Sequence, residues 1–316
     1  MKANSLGMKC LVAAVAPVLA CAGREAAWQS ESRGAAISPA ARAEAAQLER
    51  RADELWRDRL DRSRLEAAIA TLARAVEIDA TNATRLTRLA RAYYFLADGH
   101  LSFELERAKR EDESGESAAI KSIKRRLRAT YQHGANAAER AIAAHAPRFA
   151  TAMRSGARLE SALHLVADKS AAGALFWYAA NLGRWALLMG IAEILYHKDR
   201  VFAVVERVQS LAPDFFHGAV DRYFGVYYTR VPVPRGDLAR SKRHFERALR
   251  RHPSYLATRV LFAEHYAVRA RDRALFEREL RAVTAADERA LPNLLPELTV
   301  EKRRARLLLE RVEDLF

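Results

Sequence analysis

From Pro39 onward, apolar residues recur every three or four positions, and no stretch alternates with a period of two. Leu65, Ala68, Ile69, Leu72, Ala75 and Val76 fall on one helical face. Leu238, Ser241, Phe245, Ala248 and Leu249 repeat the arrangement until His252-Pro253 ends it. That spacing predicts amphipathic helices throughout. Ala, Arg, Leu and Glu, all strong helix formers, fill much of the remainder. Two segments interrupt the pattern. Residues 98–130 hold a polar, mixed-charge stretch that reads as a solvated helix extension or a loop. Residues 231–237 carry two prolines and a glycine, with Asp237 placed to cap the helix that follows.

The helical runs come in pairs, and the pairs resemble tetratricopeptide (TPR) repeats. A first helix over residues 83–97 presents Leu86, Leu89, Ala90 and Tyr93. A second-helix pattern appears as Ser241, Phe245, Ala248 and Pro253, and Phe262, Ala263 and Tyr266 restart the cycle. Weaker second halves are Val201, Val205, Val208 with Pro213, and Ala135, Ile142 with Pro147. A single hairpin cannot bury its apolar face, so such units are expected to stack. The predicted fold is all-α: a TPR-like helical hairpin array, an α-solenoid or superhelix, over residues 46–316.

The N-terminus follows a different logic. Lys2 and Lys9 flank a short stretch without acids, an apolar run spans residues 11–20, and Cys21 comes next. The run is about half the ~20 residues needed to span a bilayer. A positive start, a short apolar core and a small residue before the cut make a bacterial export signal. Val18-Leu19-Ala20-Cys21 resembles a lipobox, which makes residues 1–20 a lipoprotein signal peptide and Cys21 the lipidated residue and membrane attachment. Ala22 and Gly23, with no Asp after the cysteine, favour the periplasmic face of the outer membrane over the inner membrane. Residues 21–45 read as a lipidated flexible tether, its first 18 or so residues spanning roughly 20–25 Å.

Residues 171–195 form the most hydrophobic window after the signal, yet Asn181 and Arg184 sit at its centre, which argues against a membrane span. Read as one helix, it puts Trp177, Asn181 and Leu188 on one face and Tyr178, Leu182, Trp185 and Met189 on the next. A second aromatic cluster follows in Phe215, Phe216, Tyr223, Phe224, Tyr227 and Tyr228. Core packing accounts for such residues. So does an apolar groove whose Asn, Arg and Tyr groups orient an anionic or polar head. The groove candidates are Phe176, Trp177, Tyr178, Asn181, Arg184, Trp185, Tyr223, Tyr227 and Tyr228.

Composition narrows the function further. The only cysteines are Cys10 and Cys21, which excludes a disulfide scaffold, a cysteine zinc site and an iron–sulfur cluster. No phosphate loop, nucleophile elbow, paired-histidine metal motif or dinucleotide fingerprint occurs, so no catalytic, metal or cofactor residue is nominated. The formal charge of +14 comes mostly from Arg interleaved with Glu and Asp along every helix, not from a single basic face, so nucleic acid is not the expected partner. Loss of Lys2 and Lys9 with the signal lowers it to +12.

Several segments together resemble the TRAP-transporter-associated TPR lipoproteins, the T-component (TatT) family. They are LFWYAANLGRWA (175–186), LAPDFFHG (211–218), YFGVYY (223–228), SKRHFERAL (241–249), TRVLFAEHYA (258–267), DRALFERELRAV (272–283) and EKRRARLLLERVEDLF (301–316). The resemblance spans roughly residues 45–316. One departure is Arg235-Gly236-Asp237, where a Gly-Gly-Asp turn is more usual. The resemblance implies a periplasm-facing lipoprotein with a concave, partly apolar cavity, associated with the periplasmic solute-binding protein of a TRAP-type transporter. A small organic ligand of its own, a homo-oligomer, and a plain envelope scaffold without ligand all stay open.

Overall fold

The computed structural model describes residues 24–30, 37–112, 114–231 and 236–316, and among these there is no strand. The signal peptide and Cys21 lie outside the described residues, as does most of the proline turn, residues 232–235.

Local capping chemistry sets many of the helix starts. Ser38 Oγ accepts from Ala41 N and Pro39 occupies the first turn, opening α1 (Pro39–Arg57). Asp61 opens α2 (Arg62–Ile78) and Asn82 opens α3 (Ala83–Leu96) in the same way. α3 widens into a π turn, Ala97–Leu101, and continues as α4 (Ser102–Glu111). Ser117 caps the long α5 (Ala118–His145), and Pro147 begins α6 (Pro147–Arg154), followed by a single turn, α7 (Leu159–Ala162). Next come α8 (Ala172–Met189), α9 (Ile191–Leu211) and α10 (Phe215–Arg230). Asp237 accepts from Arg240 N and starts α11 (Leu238–Arg251), as its sequence position suggested. α12 (Ala257–Leu261) passes through a second π turn, Phe262–Ala267, into α13 (Val268–Ala270). Asp272 caps α14 (Arg273–Ala285), and α15 (Leu295–Leu309) and α16 (Val312–Leu315) close the chain.

The helices pack as a hairpin array, chiefly α1 on α2, α3 on α5, α5 on α8, α8 on α9 and α10 on α11. α5 and α8 run antiparallel: Gly134 meets Asn181, and His145 near the end of α5 reaches Ser170 just before α8. Gly134 permits that approach, since a Cβ there would lie 2.2 Å from Asn181 Oδ1. One apolar core runs from α1 to α10, and a second joins α11, α12, α14 and α15, with Phe216 packed against both.

Three expectations need correcting. The window 171–195 is two helices, because Gly190 adopts φ 119°, ψ −174°, a conformation essentially restricted to glycine, and turns the chain back at a sharp corner. Met189 is therefore exposed and does not share a buried face with Trp185. Residues 98–130 are more than a solvated extension: Ile120, Ile123 and Leu127 form a buried stripe on α5. The tether assigned to residues 21–45 is in part structure. α1 already begins at Pro39, and residues 24–30 are held against α5, α6 and α8.

That held segment behaves as a strap. Trp28 is only 3% exposed, edge-on to Phe149 at 5.5 Å and tilted against Tyr178 at 5.2 Å. Arg24 donates to both oxygens of Glu139 at 2.6 and 2.7 Å and to Asn136 Oδ1 at 2.5 Å. Ala27 N completes the carboxylate's shell at 2.6 Å. Burial pushes the Glu139 carboxyl up, opposed by Arg24 and by the Ala27 N–H.

Candidate functional site

A largely apolar cavity lies where the two cores meet, among α3, α8, α9, α10, α12 and α15, and has a volume of about 420 Å³. Its wall is mainly apolar, with Phe95, Phe176, Trp177, Phe216, Tyr223 and Tyr227 supplying rings. Both π turns contribute to it, the first through Asp98 and Gly99, the second through His265. A π turn displaces the side chains that follow it, and such turns gather at functional sites.

Of the groove candidates, the structure brings Phe176, Trp177, Arg184, Tyr223 and Tyr227 to this wall. The other four belong elsewhere. Tyr178 faces the strap and Trp28. Asn181 is fully buried between helices, donating to Ala90 O at 3.2 Å and Trp177 O at 2.8 Å. Trp185 packs on His197, with rings 5.8 Å apart, and Tyr228 stacks on His244 at 5.7 Å. These four perform core packing because α8 and α10 are apolar on nearly every side, and neighbours decide which face is hollow.

The polar part of the wall was largely missed from sequence. Asp98 accepts from Arg184 at 2.6 Å and from Arg304 at 2.9 Å. Burial pushes its carboxyl up, but the two guanidiniums overcome this and hold it below the usual range. Arg304 also reaches Glu301 at 3.1 Å, and burial raises the Glu301 carboxyl. Arg91 pairs with Glu297 at 2.7 Å and lies 4.9 Å over the Phe216 ring. In all, Arg91, Arg184, Lys198, Arg222, Arg230 and Arg304 face three carboxylates, Asp98, Glu297 and Glu301. His265 is pushed down to about 4, chiefly by burial, and is neutral at pH 7.

Arg222 differs from the other arginines of the wall in combining burial, at 6% exposed, with the absence, among the described residues, of any carboxylate within ion-pair distance. Arg230 also lacks such a carboxylate but is exposed. Its guanidinium lies 4.2 Å over the Tyr255 ring and donates to the carbonyls of His217 and Phe216, the latter at 2.8 Å. Those carbonyls point inward because Phe216, His217 and Gly218 take left-handed φ values of 43°, 55° and 76° at the start of α10. Carbonyl dipoles and a ring face hold a cation but do not neutralise it. Burial pushes the Arg222 pKa down, the direction expected of a charge short of counter-charge. The one sequence signal for this residue is a charge inside the aromatic run DRYFGVYY, at a position that a regular helix would turn toward the core.

A family model for the TRAP transporter T-component matches residues 67–316. The chain belongs to the T-component family. The matched span includes all the cavity-lining residues, from Arg91 to Arg304. A comparison with curated proteins finds no match. Membership makes the chain a transporter-associated component of the bacterial envelope, and the family is not a known family of enzymes. Among the described residues no helix is long and apolar enough to cross a membrane.

Proposed function

We propose that this T component is anchored through a lipid on Cys21 at the periplasmic face of the outer membrane, associates with the solute-binding protein of its TRAP transporter, and holds a small amphipathic organic anion. The observation that carries the ligand reading is Arg222, a buried guanidinium without a carboxylate partner at the wall of an apolar cavity. An uncompensated buried charge costs several kcal/mol, and a bound anion would offset that cost. The cavity volume of about 420 Å³ is in the range of small-molecule sites. Phe176, Trp177, Tyr223 and Tyr227 would flank the ligand's apolar body, with its acid group at Arg222.

Native mass spectrometry of the purified chain tests the ligand. The expected result is a co-purifying organic acid that Arg222→Gln abolishes while helix content is kept. No bound species in either protein would favour the scaffold reading, in which the aromatics serve packing alone. Pull-down from envelope extract should recover a TRAP solute-binding protein, and its repeated absence would sink the transporter partnership. Palmitate labelling that persists in Cys21→Ser would remove the anchor.

A further inference from the structure

The α8–α9 corner departs from an otherwise well-covered surface. Seven large apolar side chains of the described residues are exposed, and five of them cluster here: Leu187, Met189, Ile191, Leu195 and Tyr196. Ile191 is the extreme case, at 70% exposed. The cluster rims the cavity, because Leu187, Ile191 and Leu195 also belong to its wall. A contiguous apolar rim around an apolar cavity marks a surface that is covered in use.

The strap indicates what covers it. Read toward the N-terminus, it passes from Met153 and Phe149 on α6, which Gln29 and Trp28 touch, to Asn136 and Glu139 on α5, which hold Arg24. Because α5 and α8 are antiparallel, this course follows α8 toward its C-terminal end, the side of the Gly190 corner. His197, one turn and a half into α9 from the corner, is pushed down by burial first and then by the positive charges of Arg200 and Arg24. Cys21 lies three residues before Arg24, so covalent geometry keeps it within about 11 Å of a fixed point. The described chain thus ends at Arg24, beside α5 and α8, and a lipid on Cys21 would be tethered within that reach of it.

We propose that the α8–α9 corner is a membrane-docking collar, which seats the cavity mouth against a phospholipid bilayer so that amphipathic solutes exchange between cavity and lipid. The inference rests on the Cys21 anchor for its direction, while the surface itself can be tested without the lipid. Near the corner Lys198 pairs with Asp199, Glu193 lies by His197 and Arg200 covers the Tyr196 ring. Two cations and two carboxylates thus balance in number, and docking comes from apolar insertion, not from charge. Its dependence on salt is accordingly weak.

The test is flotation of the full mature chain carrying Cys21→Ser, with no acyl chain, on vesicles of phosphatidylethanolamine and phosphatidylglycerol at 3:1. The expected result is binding that persists when salt is raised. Ile191→Ser/Leu195→Ser should lower the partition coefficient at least tenfold, with Met189→Ser as a milder second variant. Leu60→Ser/Leu238→Ser, which removes exposed apolar side chains elsewhere, should leave it unchanged. Absence of flotation, or equal loss in the Leu60→Ser/Leu238→Ser control, overturns the proposal. So does a corner variant that dissociates an oligomer in light scattering while vesicle binding is intact, since the collar would then be a contact between copies. Failure of Cys21 lipidation is read separately by palmitate labelling and does not alter the flotation result.

Discussion

Replacing Arg24 by alanine removes one side of a buried ion pair and leaves the other in place. The Arg24 side chain is 4% exposed and that of Glu139 is fully buried. The substitution deletes two charge-assisted hydrogen bonds to Glu139 and one hydrogen bond to Asn136, and it strands a carboxylate whose remaining donor among the described residues is the Ala27 N–H. Breaking such a pair from one side costs about 3–5 kcal/mol. An exposed pair would cost no more than about 1 kcal/mol. The assay is equilibrium urea unfolding of the Cys21→Ser chain with and without Arg24→Ala.

The pH dependence of the same variant gives a second, independent sign. Burial already pushes the Glu139 carboxyl up, and loss of the guanidinium pushes it further. A carboxyl whose folded pKa exceeds its unfolded value contributes stability that is complete below the unfolded value and is lost as pH rises through the folded one. The deficit of Arg24→Ala relative to the parent should therefore shrink as pH is lowered from 7 toward 5. Trp28→Ala, which empties a site against Phe149 and Tyr178, should cost about 3–5 kcal/mol with no such pH signature. A loss below about 1 kcal/mol for Arg24→Ala, or a deficit that widens toward pH 5, would refute the docked strap.

Other substitutions probe the array and the cavity. Gly225→Ala should destabilise by about 1–3 kcal/mol in thermal unfolding, because its Cβ would lie 2.7 Å from the ring of fully buried Phe245. Gly183→Ala, a helical glycine at the cavity wall with no neighbour near its Cβ, should instead stabilise by up to about 1 kcal/mol. Equal signs for these two variants would contradict the α10–α11 packing. Gly190→Ala should cost about 1–3 kcal/mol and raise amide exchange at the α8–α9 corner, since φ 119° with ψ −174° excludes a side chain. His197 is held down at about 4, chiefly by burial, so the unfolded chain takes up its proton first as pH falls through 6.5. Stability from this group is lost between about pH 6.5 and 4, and His197→Phe should remove up to about 1.4 kcal/mol per pH unit from the slope of the parent. An unchanged slope in urea unfolding across that range would count against it.

The limits of sequence reading follow from the range of each interaction. The helix start at Asp237 is legible because a cap acts over three residues, and Leu238–Arg251 ends where Pro253 requires. Gly190 was readable as a glycine but not as a corner, since an apolar run continues on both sides and only its backbone angles separate two helices. In sequence the strap reads as tether because Arg24 and Trp28 stand among small and polar residues, and their partners Glu139 and Phe149 lie more than a hundred positions away.

The cavity divides along the same line. Its aromatics are visible as a class, yet four of the nine groove candidates lie off the cavity wall, because a helix that is apolar all round carries no moment to orient it. Its charges were hidden more completely. Asp98 and Arg304 are 206 residues apart, and Arg222 is one cation among the 53 basic residues of the chain. What distinguishes Arg222 is not its identity but burial without a carboxylate partner, a property of the assembled wall. Arg184 and Arg304 converge on a single aspartate, and Arg91 takes Glu297, so the carboxylates nearest the wall are already engaged when Arg222 is reached. On the proposed reading, an anion that enters this cavity meets a buried guanidinium unpaired with any carboxylate of the described chain, and that inequality would give an otherwise apolar cavity its preference for acids.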